Sequence, residues 1–245
     1  MLDALPIAIA LLMNADTPPN AGEERWDVSV VRLIVEHGQG APNGLEEAAA
    51  QAASTWNEVG VGPRIEVARD DEPVDDPLNV DEHSRVGVMR EPWPYPAQAG
   101  AATITWAFTE TSHIFEADVA LNPDIEFGDG ESERHDLVSV LTHELGHVLG
   151  LQHVEDDAEA TMFPTIPRGE VKKRDLSLSD VSALLERYAG TELAAEDPDA
   201  VLEAAAEDQP ATGCAQAGPP AAEAALALAL VAIARGRRAR RRNER

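Results

Sequence analysis

His143-Glu144-Leu145-Gly146-His147-Val148-Leu149-Gly150-Leu151-Gln152-His153, a string of the form HExxHxxGxxH, is the stretch on which the reading of this chain turns. His143 and His147 are four residues apart, so on an α-helix both imidazoles lie on one face and reach a single cation. Glu144 stands between them, beside the metal without ligating it, where its carboxylate can take a proton from a water that the metal polarises. Gly150 lets the backbone leave the helix through a left-handed conformation, and the chain then doubles back to deliver His153 as a third ligand. Three protein ligands leave one position open, the pattern of a catalytic rather than a structural zinc site. Neutral imidazoles favour Zn2+ over calcium or magnesium, which take oxygen shells. From ordinary residue frequencies such a string arises on the order of once in ten million start positions, so chance is no competitor.

The string resembles the zinc motif of the metzincin peptidases, and its surroundings are most similar to the matrixin branch in the compact form of secreted bacterial enzymes. Ala160-Thr161-Met162-Phe163-Pro164 resembles the Met-turn of that family, which implies that Met162 forms a hydrophobic floor beneath the histidines, with Pro164 closing the turn. Residues 115–122, FEADVALN, are similar to the strand that borders the cleft, and 176–181, LSLSDV, leading to Tyr188, to the final helix. The resemblance covers roughly residues 24–190. It implies an α/β zincin-like domain: a twisted mixed sheet, a long helix after the first strand, a zinc-binding active-site helix and a C-terminal helix. It also implies a monomeric, secreted zinc endopeptidase that hydrolyses internal bonds of protein or peptide substrates, with Glu144 as general base. Extended substrate is expected antiparallel to the strand at 114–121, because an exposed sheet edge offers the main-chain bonds a peptide needs. Residues 164–174 are expected to wall the side-chain pocket. Matrixins with a prodomain keep latency through a cysteine on the metal, and no cysteine precedes Cys214 in this sequence. A rival from another class is a surface binding or adhesion protein that keeps zinc as a staple without turnover. Both predict metal, so only proteolysis separates them.

Composition frames this reading. A chain of 245 residues, 44% of them hydrophobic, suffices for one well-buried domain plus tails. The net charge is −26, yet seven arginines cluster between Arg235 and Arg245. An acidic body argues against nucleic acid, since phosphate binding needs a basic footprint. Acidic clusters at Asp70-Asp71-Glu72 and Asp75-Asp76 read first as solvated loop and second as Ca2+ ligands.

Hydrophobic periodicity predicts strands at 26–35, 63–67, 84–89, 102–108 and 114–121, an alanine-rich helix at 45–59, and the zinc helix from Leu137 to about Leu149 capped by Asp136. Ser177 and Asp180 form a capping box with Asp in place of Glu, opening the last helix. His135 is expected at the surface and His113 in a loop; neither has a ligand partner at motif spacing. Tyr188 reads as a packing residue.

The ends have their own signals. Residues 1–22 carry a ten-residue apolar run of signal-peptide length without a positive leader, read as an export signal, possibly truncated in the sequence. Residues 191–213 read as an acidic Ala/Pro-rich linker. From 214 to 245 the order is Cys214, a short apolar run and the arginines, which resembles the C-terminal sorting tails of myxobacterial surface proteins. That resemblance implies processing and lipid attachment at Cys214. The apolar run is too short to span a membrane core comfortably, and arginines would hold the far end on the cytoplasmic side. Membrane contact is thus expected only through the tail, with the protein secreted or anchored to the cell surface.

Overall fold

The computed structural model describes residues 24–193 apart from 37, 39, 71–77, 79, 91, 109–110, 131–132 and 192, together with the backbone of two short strands, Ile7–Ala8 and Cys214–Ala215. The expected export signal, acidic linker and arginine tail otherwise lie outside the described residues. So do the acidic clusters after Asp70.

The first strand, β1 (Val30–Glu36), is a run of β-branched residues that sends Val31, Leu33 and Val35 into the core while Arg32 faces solvent. After it, α1 (Leu45–Asn57) buries Ala48, Ala49, Ala52, Ala53 and Trp56 on one stripe. Small side chains along that stripe let the helix lie close to its neighbours. The helix returns the chain for β2 (Arg64–Asp70), which pairs parallel with β1 from Val30↔Arg64 to Glu36↔Asp70. A parallel pair cannot be closed by a tight turn, so a crossover of this length is required. On the other side of β1 lies β3 (Ser84–Val88), also parallel, and β5 (Ile114–Leu121) adds parallel to β3. The remaining strand, β4 (Ala101–Ala107), runs antiparallel to β5. The order β4-β5-β3-β1-β2 gives a mixed five-stranded sheet.

The helices α1 and α2 (Leu137–Val148) cover one face. Their apolar side chains meet Leu33, Val35, Ala117, Val119 and Leu121 in a single core. The third helix, α3 (Leu178–Tyr188), begins at the predicted capping box, with Ser177 and Asp180 bonded reciprocally. Leu184 and Tyr188 are its buried contacts, and the Tyr188 hydroxyl donates to Leu149 O at 2.9 Å, so the packing role expected of Tyr188 holds. Sheet, long helix, motif helix and C-terminal helix are therefore the expected ones.

One expectation is corrected. The strand at 114–121 pairs with β4 along its length and with β3 at Val119–Leu121, so it lies inside the sheet rather than at its edge. The outer strand of the domain on that side is β4. Its residues Ile104 and Thr105 pair antiparallel with Ala215 and Cys214. Hydrophobic pattern could not rank the two strands, because both are almost wholly buried.

Candidate metal centre

The motif helix is fixed before any ligand is considered. Asp136 caps it, accepting from Ser139 N at 2.7 Å, and every position from Leu137 to Val148 is buried. Two indoles tie it to its surroundings: Trp56 Nε1 donates to Thr142 O and Trp26 Nε1 to Val148 O, each at 2.7 Å. A metal site needs such a rigid support, since ligands must be placed to within about half an ångström.

The helix ends as Gly150 takes φ +81°, with Gly150 N on His147 O and Leu151 N on Gly146 O. A side chain at Gly150 would bring a Cβ to 2.4 Å from Glu24 O. Both the left-handed backbone and the close approach therefore require glycine. The turn delivers His153 to its partners. The three Nε2 atoms lie 3.1 Å (His143 to His147), 3.2 Å (His143 to His153) and 3.3 Å (His147 to His153) apart.

Those distances carry the argument for a cation. His143 Nδ1 lies 2.7 Å from Thr161 O, and His147 Nδ1 lies 2.8 Å from Leu151 O. A carbonyl oxygen only accepts, so in both rings Nδ1 is the donor and Nε2 keeps its lone pair. Lone pairs so directed repel one another unless a cation sits among them. Zinc–nitrogen bonds of about 2.0–2.1 Å place two ligands of a tetrahedron about 3.3 Å apart, which is the spacing found. Burial holds all three imidazoles in the neutral, ligating form: His147 is pushed down to about 4 and His153 to about 3. His143 lies well below its ordinary value through burial and then its neighbouring imidazoles. Among the described residues this triad is the one group of three or more metal-binding side chains with convergent ligand atoms. The donor set fits zinc.

Glu144 is fully buried beside the triad, and burial raises its carboxyl to about 7 against the lowering effect of a hydrogen bond from Thr103. Met162 is also fully buried, under Gly146: a Cβ on that glycine would come within 2.2 Å of Met162 Sδ. The turn holding Met162 is clamped by two buried charges of opposite sign. Asp180 accepts from Thr161 N at 2.7 Å and Met162 N at 2.9 Å, while Lys173 Nζ donates to Thr161 O and Phe163 O. Pro164 follows at the half-buried start of the wall segment.

The structure thus brings together His143, His147, His153, Glu144 and Met162. Cys214 stands apart from them in sequence and lies on the β4 edge by backbone pairing. His135 is corrected: it is buried, 2% exposed, because the short parallel pairing of Phe127–Gly128 with His135–Asp136 draws it beneath neighbouring chain. It still contributes nothing to the triad. His113 lies in the loop region expected and contacts Asp27 at 3.0 Å. Sequence reasoning missed Thr103, Lys173 and the second role of Asp180. Thr103 alone left a signal, one of two inward hydroxyls, with Thr105, on an otherwise apolar strand.

Fold and site together define a zincin-like α/β domain with a convergent triad of histidines. Comparison with known proteins narrows the class. Residues 87–189 match the matrixin family model. The chain is 47% identical over 53 residues to metalloendoproteinase 1-MMP of Arabidopsis thaliana, covering 22% of this chain and 14% of the relative. It is 31% identical over 94 residues to human matrilysin, covering 38% of this chain and 34% of that protein. With metalloendoproteinase 1 of Glycine max it shares 32% identity over 100 residues, 40% of this chain and 32% of the relative. These matches support a metzincin-type metallopeptidase, and the family implies zinc. The chain spans about a third or less of the length of these curated relatives.

Proposed function

We propose that this protein is a zinc-dependent endopeptidase that hydrolyses internal peptide bonds of proteins. The observation that carries the reading is the set of three neutral Nε2 atoms at tetrahedral spacing with a buried carboxylate beside them. His143, His147 and His153 would hold the ion. When bound, zinc acts as a Lewis acid that polarises a carbonyl and lowers the pKa of water. Glu144 would then take the proton of the attacking water and pass it to the leaving amine. Met162 would serve as the apolar floor. An extended substrate adds as an antiparallel strand on β4, whose outward main-chain groups supply the bonds that fix a peptide's register. Residues 164–174 form the opposite wall of the side-chain pocket.

The same reading places the protein outside the cell, secreted or held at the surface through Cys214. A single acyl chain anchors only marginally, so lasting attachment needs two chains or an uncleaved apolar helix. Mass spectrometry of the native protein should find a C-terminus near Cys214 with added lipid mass; an intact, unmodified Arg245 end recovered from cytosol overturns that part. The enzymatic reading is tested with Glu144→Ala, which should keep zinc and lose turnover by several orders of magnitude. Wild-type proteolysis by that variant, with its metal verified, rules out Glu144 as the base.

A further inference from the structure

The base and the substrate share one structural element. Thr103 lies on β4, 3% exposed, with its side chain turned inward against α2. Its hydroxyl donates to Glu144 Oε2 at 2.5 Å, and the main-chain oxygen of Glu144 stands 3.4 Å away. A threonine hydroxyl has a single proton, so the shorter contact takes it. Glu144 Oε1 has no hydrogen-bond partner in the structure. One carboxylate oxygen is thus tethered and the other is free to exchange a proton.

The tether matters because it is the hydrogen bond that holds the Glu144 carboxylate, whose other oxygen has no partner. A glutamate side chain carries three rotatable bonds, and ordering its far end costs rotamer entropy. Thr103 fixes the far end, and it does so from the strand on which a peptide would pair, between Ala102 and Ile104. Catalysis is sensitive to such placement: an error of about 1 Å in a reacting group can cost a hundredfold.

We propose that Thr103 is a positioning residue that ties the carboxylate of Glu144 to the substrate-binding strand. The distance from the base to the scissile bond is then set within one strand rather than across the cleft. This rests on the endopeptidase reading above. The hydroxyl of Thr103 is bonded to the base and not to the three histidines, so its loss should fall on the chemical step.

The test uses the zinc-loaded full chain with Thr103→Val, Thr103→Ala and Thr103→Ser, each checked for zinc content and melting temperature. Thr103→Val and Thr103→Ala should lose roughly ten- to a hundredfold in kcat, the worth of one hydrogen bond to a charged group, with KM and zinc affinity unchanged. Thr103→Ser keeps the hydroxyl and should return most of the loss. A kcat within twofold of wild type in both Val and Ala variants overturns the proposal, as does a loss in Ser equal to that in Val. A crystal structure of Thr103→Val provides a readout that needs no turnover. Glu144 should leave its wild-type rotamer there, and an unmoved carboxylate overturns the tether. Absence of proteolysis in the wild type would instead count against the endopeptidase reading, leaving the structural readout to judge Thr103.

Discussion

Met162 lies so close beneath Gly146 that a single methyl group on the helix would meet its sulfur at 2.2 Å and Trp56 Cζ2 at 2.9 Å. The glycine of the HELGH string is therefore required by packing, not by backbone freedom. Gly146→Ala should gain slightly in helix propensity yet lose about 1–3 kcal/mol to overpacking, because both neighbours are buried and must shift. Calorimetry should show a melting temperature lower by several degrees, with weaker zinc binding as Met162 is displaced. An unchanged melting temperature would mean that the turn yields freely.

Asp180 makes a sharper case. It takes the N–H groups of Thr161, Met162 and Ser177 at 2.7, 2.9 and 2.8 Å. Asn at this position turns an NH2 group toward at least one of those donors. Asp180→Asn should cost about 3 kcal/mol. Since Thr161 O orients His143, zinc affinity by chelator competition should fall about ten- to a hundredfold. Equal zinc affinity in the two proteins would uncouple the turn from the ligand.

Much of this architecture was legible because it is local. Ligand spacing, the Asp136 cap, the Ser177–Asp180 box and the glycine exit depend on residues within a turn or two of each other. The span of β5 was legible for the same reason. What escaped is non-local. Which strand forms the cleft edge depends on pairing between β4 and β5, and Thr103 meets Glu144 across 41 positions. Lys173 resembles its neighbour Lys172 in sequence, yet one is buried and the other is not, since a short 3-10 turn orients them differently. His135 looked polar enough for the surface, and a two-residue pairing buried it.

On the sheet face away from the helices, Glu116 is fully buried and accepts main-chain N–H groups from Asp81 and Glu82. Burial pushes its carboxyl up to about 8 despite those donors, and the buried Asp118 carboxyl beside it is raised too, so the two titrate as a pair. The folded value of Glu116 exceeds the unfolded one, so its contribution is present below about 4.5 and is lost as pH rises toward 8. Glu116→Gln keeps an acceptor for the two amides without the ionisation. The variant should be more stable than wild type at pH 9 and closest to it at pH 5. A stability difference that does not change between these pH values would show that Glu116 titrates normally.

The tail meets β4 where a peptide would add, Cys214 opposite Thr105 and Ala215 opposite Ile104. A segment tethered to its own site competes at high effective concentration. A protein ending at Leu193 should therefore show a lower KM for peptide substrates than the full chain, with kcat little changed. Identical KM values would mean that the pairing does not compete with substrate.

Three histidines and one glutamate are proposed to make a zinc-dependent proteolytic site. This is tested most directly by following cleavage of casein or a quenched peptide library by the purified protein as isolated, after chelator treatment, and after stoichiometric zinc is returned. Hydrolysis at internal bonds should disappear with the metal, return with zinc and be suppressed by a hydroxamate. Full zinc occupancy without any cleavage would contradict the proposal and leave a zinc-stapled binding protein in its place.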